Sequence, residues 1–435
     1  MPAGPQLLLL TLGAVALLLL LILWVRLHAF LALLLTSMAL GLACGMAPAK
    51  LLKSIQNGFG EALGFIAVVV ALGAMIGRFI EHSGGGRALA ERLLATFGEK
   101  RAVWAVLCAS FLIGLPLFFE VGFVILAPLA ISLTRTTGRS LLYFGLPIAC
   151  ALTVTHAMVP PHPAPAAAAQ LFAADLGRVI LHGIAISVPM TLSGVVYAMW
   201  ISRRIHLPVP DYAKEAPAAA VENPPSPWIV AILLVLPVLL IFGGTVYPAM
   251  GFFGHPFTAL TVTTLAAMYV FGVRRGLSRD QMGKLATDCL GPMGSLLAIM
   301  GGGGAFKQVI VDSGVGPYAG KLLVEANISP LVLAYLVACA MRIAQGSATV
   351  AIITAAGIVA PLVKEIPGYT PEMLVLAICA GGTILSHVND AGFWIVNQMF
   401  GMTVPQSLRS WTVMKVITSL VGITIILVVQ SLIAN

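Results

Sequence analysis

Long apolar runs separated by short polar breaks fill the chain. LLLLTLGAVALLLLLILWV (Leu7 to Val25), FIAVVVALGAM, WIVAILLVLPVLLIF and VITSLVGITIILVV approach or reach the roughly 20 apolar residues with which a helix crosses about 30 Å of hydrocarbon. The pattern predicts an all-α polytopic membrane protein. The first run has no basic leading region and no clear cleavage site, so it reads as a spanning helix rather than a signal peptide.

The pattern also repeats. IGRFIEHSGGG, starting at Ile76, and FKQVIVDSGVG, starting at Phe306, set Ile80, Ser83, Gly84 and Gly86 opposite Ile310, Ser313, Gly314 and Gly316. LTVTHAMVPPHPAP and TILSHVNDAGFW set Thr155 and His156 opposite Ser386 and His387. In an apolar chain, internal duplication with polar, Gly-rich breaks at matching places points to a secondary transporter built from inverted repeats. The expected organisation is a first repeat over residues 1–204, a linker over 205–227 and a second repeat over 228–435. Each repeat would hold about five spanning helices, a re-entrant hairpin and one interrupted helix.

Composition agrees with a membrane chain: 59% of residues are hydrophobic and 9% charged, against about a quarter charged in a soluble domain. The net charge of +8 does not point to nucleic acid, because the basic residues gather in short loops as the positive-inside rule requires. Arg203 and Arg204, then Arg274, Arg275, Arg279 and Lys284, mark cytoplasmic loops. Arg87, Arg92, Lys100 and Arg101, and the later Arg135 and Arg139, mark the same face. Between those two groups the chain either crosses and returns as two short helices or forms a re-entrant hairpin that turns near Leu115 to Glu120. The matching loops of the second half, Asp312 to Asn327 and Lys364 to Glu365, are far less basic and belong on the opposite face. Lys50 and Lys53 then face outward, against the rule. The Pro- and Ala-rich HLPVPDYAKEAPAAAVENPPSP (His206 to Pro227) reads as a flexible cytoplasmic linker. The six cysteines sit in apolar segments without metal-ligand spacing and read as small buried hydrophobes.

Backbone at membrane depth must be hydrogen-bonded, so a Gly/Pro/polar interruption survives there only if protein covers it or it lines an aqueous cavity. There are four: GLPLFFEVGF (Gly114 to Phe123), TVTHAMVPPHPAP (Thr153 to Pro165), RIAQGSATVA (Arg342 to Ala351) and TILSHVNDAGFW (Thr383 to Trp394). The second and fourth would split a helix in two, and half-helix N-termini offer free amides to a carboxylate. The first and third would be hairpin tips. Gln345, Ser347 and Thr349 around a Gly346 turn suit hydroxyl groups, so a small polyhydroxylated acid fits better than a bare cation or a lipid.

RIAQGSATVAIITAAG, GGTILSHVNDAGFWIVNQMFGMT, HAMVPPHPAP and GLPLFFEVGFVILAP resemble the signatures of the gluconate permease family of proton symporters, and the resemblance covers essentially the whole chain. It implies uptake of gluconate or a related sugar acid with protons across the inner (cytoplasmic) membrane. It also implies membership of the wider group of ion transporters with paired re-entrant hairpins and interrupted helices. No cofactor is implied beyond the proton as coupling ion. The partners are a small anion and the lipid bilayer; the oligomeric state, monomer or homo-oligomer, is left open.

Glu120 and Asp390 are the candidate proton carriers, since an ionisable residue in an apolar run is expensive and a buried carboxylate can bind and release a proton. His156 and His387, at equivalent places in the two halves, could titrate or donate to substrate. Arg342 could pair with a carboxylate or snorkel at the hairpin base. Thr155, Gln345, Gly346, Ser347, Thr349, Ser386 and Asn389 complete the expected substrate contacts, although Ser and Thr also glue helices together in membranes. His162 reads as structural, Gly301 to Gly304 as a close helix approach, and Glu81, Asp288 and Asp312 as solvated ends. Three rival readings carry less: a sodium-coupled carrier of another small hydroxy carboxylate or amino acid, an intramembrane hydrolase using His156 or His387 with a nearby Ser, and a passive channel.

Overall fold

The computed structural model describes residues 4–98, 101–210, 223–291, 293–314, 325–326, 328–363, 366–387 and 390–434. Among these residues the protein is helical throughout, with no strand, and eight helical segments are long and apolar enough to cross a membrane.

Three helices open the chain, α1 (Gly4–Leu23), α2 (Ala29–Ala43) and the long α3 (Pro48–His82), followed by a short α4 (Gly85–Phe97). Next come α5 (Ala102–Ile113) and α6 (Phe119–Thr137), the two arms of the first expected hairpin. A broken helix follows, α7 (Leu141–Met158) and α8 (Pro163–Leu171), and then α9 (Leu176–Ile201). The second half runs through α10 (Pro227–Val246), α11 (Pro256–Phe271), a short polar α12 (Arg279–Asp288) and α13 (Met293–Ser313). It continues with α14 (Pro330–Gln345) and α15 (Ala348–Val363) as the second pair of hairpin arms, then the broken pair α16 (Pro371–Gly382) and α17 (Ala391–Met399). The chain closes with a helical turn at Val404–Ser407, a π-helical turn at Leu408–Thr412, and α18 (Val413–Ala434). The order of long helices, hairpin, broken helix and closing helix is the same in both halves. All four expected interruptions fall between helices.

Sequence decides which helices are central. α7 and α8 are apolar on every side, and their span is 83% buried, whereas α1 is only 22% buried and shows residues such as Leu9 and Leu12 outward. A helix apolar all round and buried belongs inside the bundle; one that stays exposed faces lipid. α5, α14, α15 and α16 have 12–16 residues each, too few to span the hydrocarbon. They end inside the protein, where the polar breaks meet.

Glycine sets the tightest packing, as small residues do between membrane helices. A Cβ on Gly304 of α13 would lie 2.4 Å from the Gly58 carbonyl oxygen of α3, and one on Gly301 2.4 Å from the Phe59 ring. The glycine run thus lets α13 lie flush on α3, as expected. Hydrogen bonds tie the helix ends together. Ser140, which caps α7, donates to the Ile205 carbonyl beyond α9 at 3.1 Å and accepts from the Leu207 amide at 3.0 Å. The Asp175 amide, just after α8, donates to Glu372 at the start of α16 at 3.3 Å. Asp312, near the end of α13, accepts from Ser54 at 2.5 Å and from Gln308 at 3.0 Å, so it is bonded within the protein rather than merely solvated.

Candidate functional site

Both hairpin tips and both helix breaks converge on one cavity of about 260 Å³. The first tip contributes Phe119 and Glu120, the first break Thr153, His156 and Ala157. From the second tip come Arg342, Gln345, Gly346, Ser347, Ala348 and Thr349, and from the second break Thr383, Asp390, Ala391 and Gly392. Trp411 and Lys415 of the closing segment complete the wall.

Local chain chemistry places these groups. Gly346 ends α14 in the left-handed conformation, at φ 79°, which glycine adopts without strain, so the chain can reverse at the tip. Ser347 then starts α15, its hydroxyl accepting from the Val350 amide at 3.4 Å. Asp390 caps α17 by accepting the Gly392 amide at 3.0 Å. Glu120 stands in the first turn of α6. The first turns of α6, α15 and α17 therefore all line the cavity, and three sets of amide dipoles favour negative charge there. The N-terminus of α8 does not join them: Pro161, His162 and Pro163 line a small separate pocket.

Arg342 is 2% exposed and its Nη2 donates to Asp390, which also accepts from the Ser386 hydroxyl. Among the described residues Arg342 Nε and Nη1 have no partner, nor does either atom of the Gln345 side-chain amide. Lys415, 3% exposed, makes no ion pair among the described residues; its ammonium lies 5.7 Å from the centre of the Trp411 ring. Unpaired donors this deep in protein cost several kcal/mol unless something completes them. The cavity is thus suited to an acceptor that the described residues do not supply.

Of the residues singled out from sequence, Glu120, His156, Arg342, Gln345, Gly346, Ser347, Thr349 and Asp390 line this cavity. Thr155 is placed behind it: fully buried, its hydroxyl back-bonds to the Ala151 carbonyl at 2.9 Å and packs where a Cβ on Gly114 would be 2.3 Å away. Ser386 is also behind the wall, where Trp411 Nε1 donates to its hydroxyl at 2.7 Å and Thr412 to its carbonyl at 2.5 Å. His387 lies outside the cavity, its Nε2 3.3 Å from the Ile343 carbonyl. Asn389 lies outside the described residues. His162 pins the first hairpin to the broken helix through Nε2, 2.6 Å from the Gly114 carbonyl, with Phe118 against its edge. Lys415 and Trp411 were not singled out, although a lone lysine inside an apolar run is itself a signal.

The GntP family permease profile matches residues 6–433, nearly the whole chain. The chain belongs to the GntP permease family. It is 42% identical over 419 residues to a gluconate permease of Pseudomonas aeruginosa, covering 93% of each chain. It is 40% identical to the high-affinity gluconate transporter of Escherichia coli K12 (94% of this chain, 96% of that one) and 39% identical to the Gnt-II system L-idonate transporter of the same organism (96% and 98%). Two solved transporters share its fold at low identity: YdaH of Alcanivorax borkumensis (TM-score 0.60, 18% identical, 87% and 89% covered) and MtrF of Neisseria gonorrhoeae (0.62, 15%, 87% and 84%). The GntP chain is accordingly a multi-pass membrane transporter and not an enzyme.

Proposed function

We propose that the protein takes up gluconate or a closely related sugar acid together with protons, by alternating access across the inner membrane. The observation that carries this reading is a set of groups at the cavity: Arg342 Nε and Nη1 and the Gln345 amide, without partners among the described residues, and the Lys415 ammonium, which there has only the Trp411 ring beside it. Two cations suit one carboxylate, and an amide with both a free donor and a free acceptor suits a row of hydroxyls. The relatives' names, gluconate and L-idonate, are of that chemical class.

Charge balance supplies a coupling mechanism. Arg342 and Asp390 cancel, leaving Lys415 against Glu120. With Glu120 protonated the cavity is cationic by one charge and complements a monoanion; with Glu120 ionised it is neutral and the anion is released. Each ligand then raises the other's affinity by the same factor, as linkage requires. Support for the inverted-repeat arrangement comes from the Asp175–Glu372 contact, which sets the start of α16 beside the end of α8 rather than beside the start of α7. The hairpins and broken helices would move as a core against the longer helices.

The test is uptake of labelled gluconate into proteoliposomes under an imposed pH gradient, with and without sodium. The reading expects accumulation that follows the pH gradient and ignores sodium. Glu120→Gln, fixed in the charge of the protonated state, should still exchange gluconate but not accumulate it. Accumulation that needs sodium and ignores pH would replace this reading with a sodium-coupled carrier.

A further inference from the structure

A second cavity, of about 390 Å³, lies on the other side of the first hairpin tip. It is walled by Ala74, Gly77, Arg78 and Glu81 of α3, by residues 116–118 and Val121 of the hairpin, and by Asp288 and Cys289 at the end of α12. Glu120 is the one described residue that lines both cavities. The first turn of α6 is the partition: Phe119 lines the first cavity, Phe118 and Val121 the second, and Glu120 lines each.

We propose that this second cavity is a proton path to Glu120, separate from the route of the sugar acid. The proposal rests on the coupled transport argued above. Its volume holds several waters at about 30 Å³ each. Its charges exclude a sugar acid. Arg78 is bound to Glu81 at 2.9 Å, so among the described wall residues Asp288 adds a net negative charge, joined by Glu120 when it is ionised. A cavity of that sign gathers cations, protons included, and repels a carboxylate. The side chains of Ala74, Pro116, Leu117, Phe118 and Val121 on the rest of the wall are apolar and give a polyol no side-chain partner. Glu81 and Asp288, expected from sequence to be solvated ends, line this cavity, Asp288 exposed and Glu81 half-buried.

On the first-cavity side Glu120 shares the wall with His156 of α7, Arg342 of α14, Asp390 at the start of α17 and Lys415 of α18. When the anion leaves, Lys415 is again uncompensated and favours the Glu120 carboxylate. The proton passes from the carboxyl to water in the second cavity, with no bond change elsewhere. Access is from the face that carries α12, the basic face of the chain.

Two independent obstructions test this. Ala74→Leu fills the cavity from α3. In a Cys108→Ala background, a methanethiosulfonate reagent on half-buried Cys289 fills it after folding, with Cys289→Ala as the control. Each is read by pH-driven accumulation of labelled gluconate and by exchange of labelled for unlabelled gluconate, which needs no net proton movement. The proposal expects accumulation to fall to the level of empty vesicles while exchange persists. Equal loss of both, or full accumulation despite complete labelling of Cys289, would overturn it. If Glu120→Gln separates accumulation from exchange but the obstructions do not, the coupling reading stands and only the separate path falls; if Glu120→Gln accumulates normally, both fall.

Discussion

Arg342, which lines the central cavity, donates to Asp390 through Nη2, and the remaining nitrogens of its buried guanidinium have no partner among the described residues. The pair spans the second hairpin and the second helix break, so one side chain both fixes the two against each other and keeps donors in reserve. Arg342→Lys should therefore lose both tasks, because an ammonium cannot fork between two carboxylates. Equilibrium binding of labelled gluconate to purified protein is expected to weaken about tenfold or more, equivalent to about 1.4 kcal/mol. Asp390→Ala strands the buried guanidinium and should lower stability by about 3 kcal/mol, seen as earlier thermal unfolding in detergent.

Lys415→Met should act in the opposite sense on stability. A buried cation with no ion pair among the described residues is costly in the empty protein even with Glu120 ionised on the same wall, and an apolar chain of similar length removes that cost. Thermal unfolding of the substrate-free variant is expected at an unchanged or higher temperature, with gluconate stabilisation lost.

Gln345→Leu tests recognition of hydroxyls separately from charge. Both amide atoms are unpartnered, so the substitution should cost the polyhydroxy acid about 1–3 kcal/mol while leaving a short carboxylate without hydroxyls nearly unaffected. Competition binding with the two acids reads the difference.

Gly346→Ala puts a Cβ on a residue at φ 79° and should strain the second tip by about 1 kcal/mol, enough to misplace Gln345 and Ser347. Gly304→Val is the contrasting case. Its side chain would meet the Gly58 carbonyl, and neither residue lines the cavity, so folded yield should fall while gluconate affinity of the folded fraction stays unchanged.

Much of this was legible in the chain itself. Run lengths gave the helices, and the four polar breaks marked where short helices stop, because backbone at that depth must be sheltered. The site was read less well where helical period was set aside. Thr153, His156 and Ala157 share a face at spacings of three and four, whereas Thr155 is turned away from His156 by its adjacency. The same spacing joins Arg342 to Gln345 and Trp411 to Lys415, and it would have drawn attention to the last pair. Ser386 could not be read this way, since its burial depends on Trp411 and Thr412 arriving from the closing segment. The second cavity was also beyond sequence, because it forms only where α3, the first hairpin and the end of α12 meet.

The central claim is that Arg342 and Lys415 hold the carboxylate of the transported acid. Titration of purified protein with labelled gluconate, native against the Arg342→Ala and Lys415→Met double variant, tests it most directly. The account predicts saturable binding to the native protein and none to the double variant at the same concentrations. Binding of equal affinity by both proteins, with the variant folded, would contradict it.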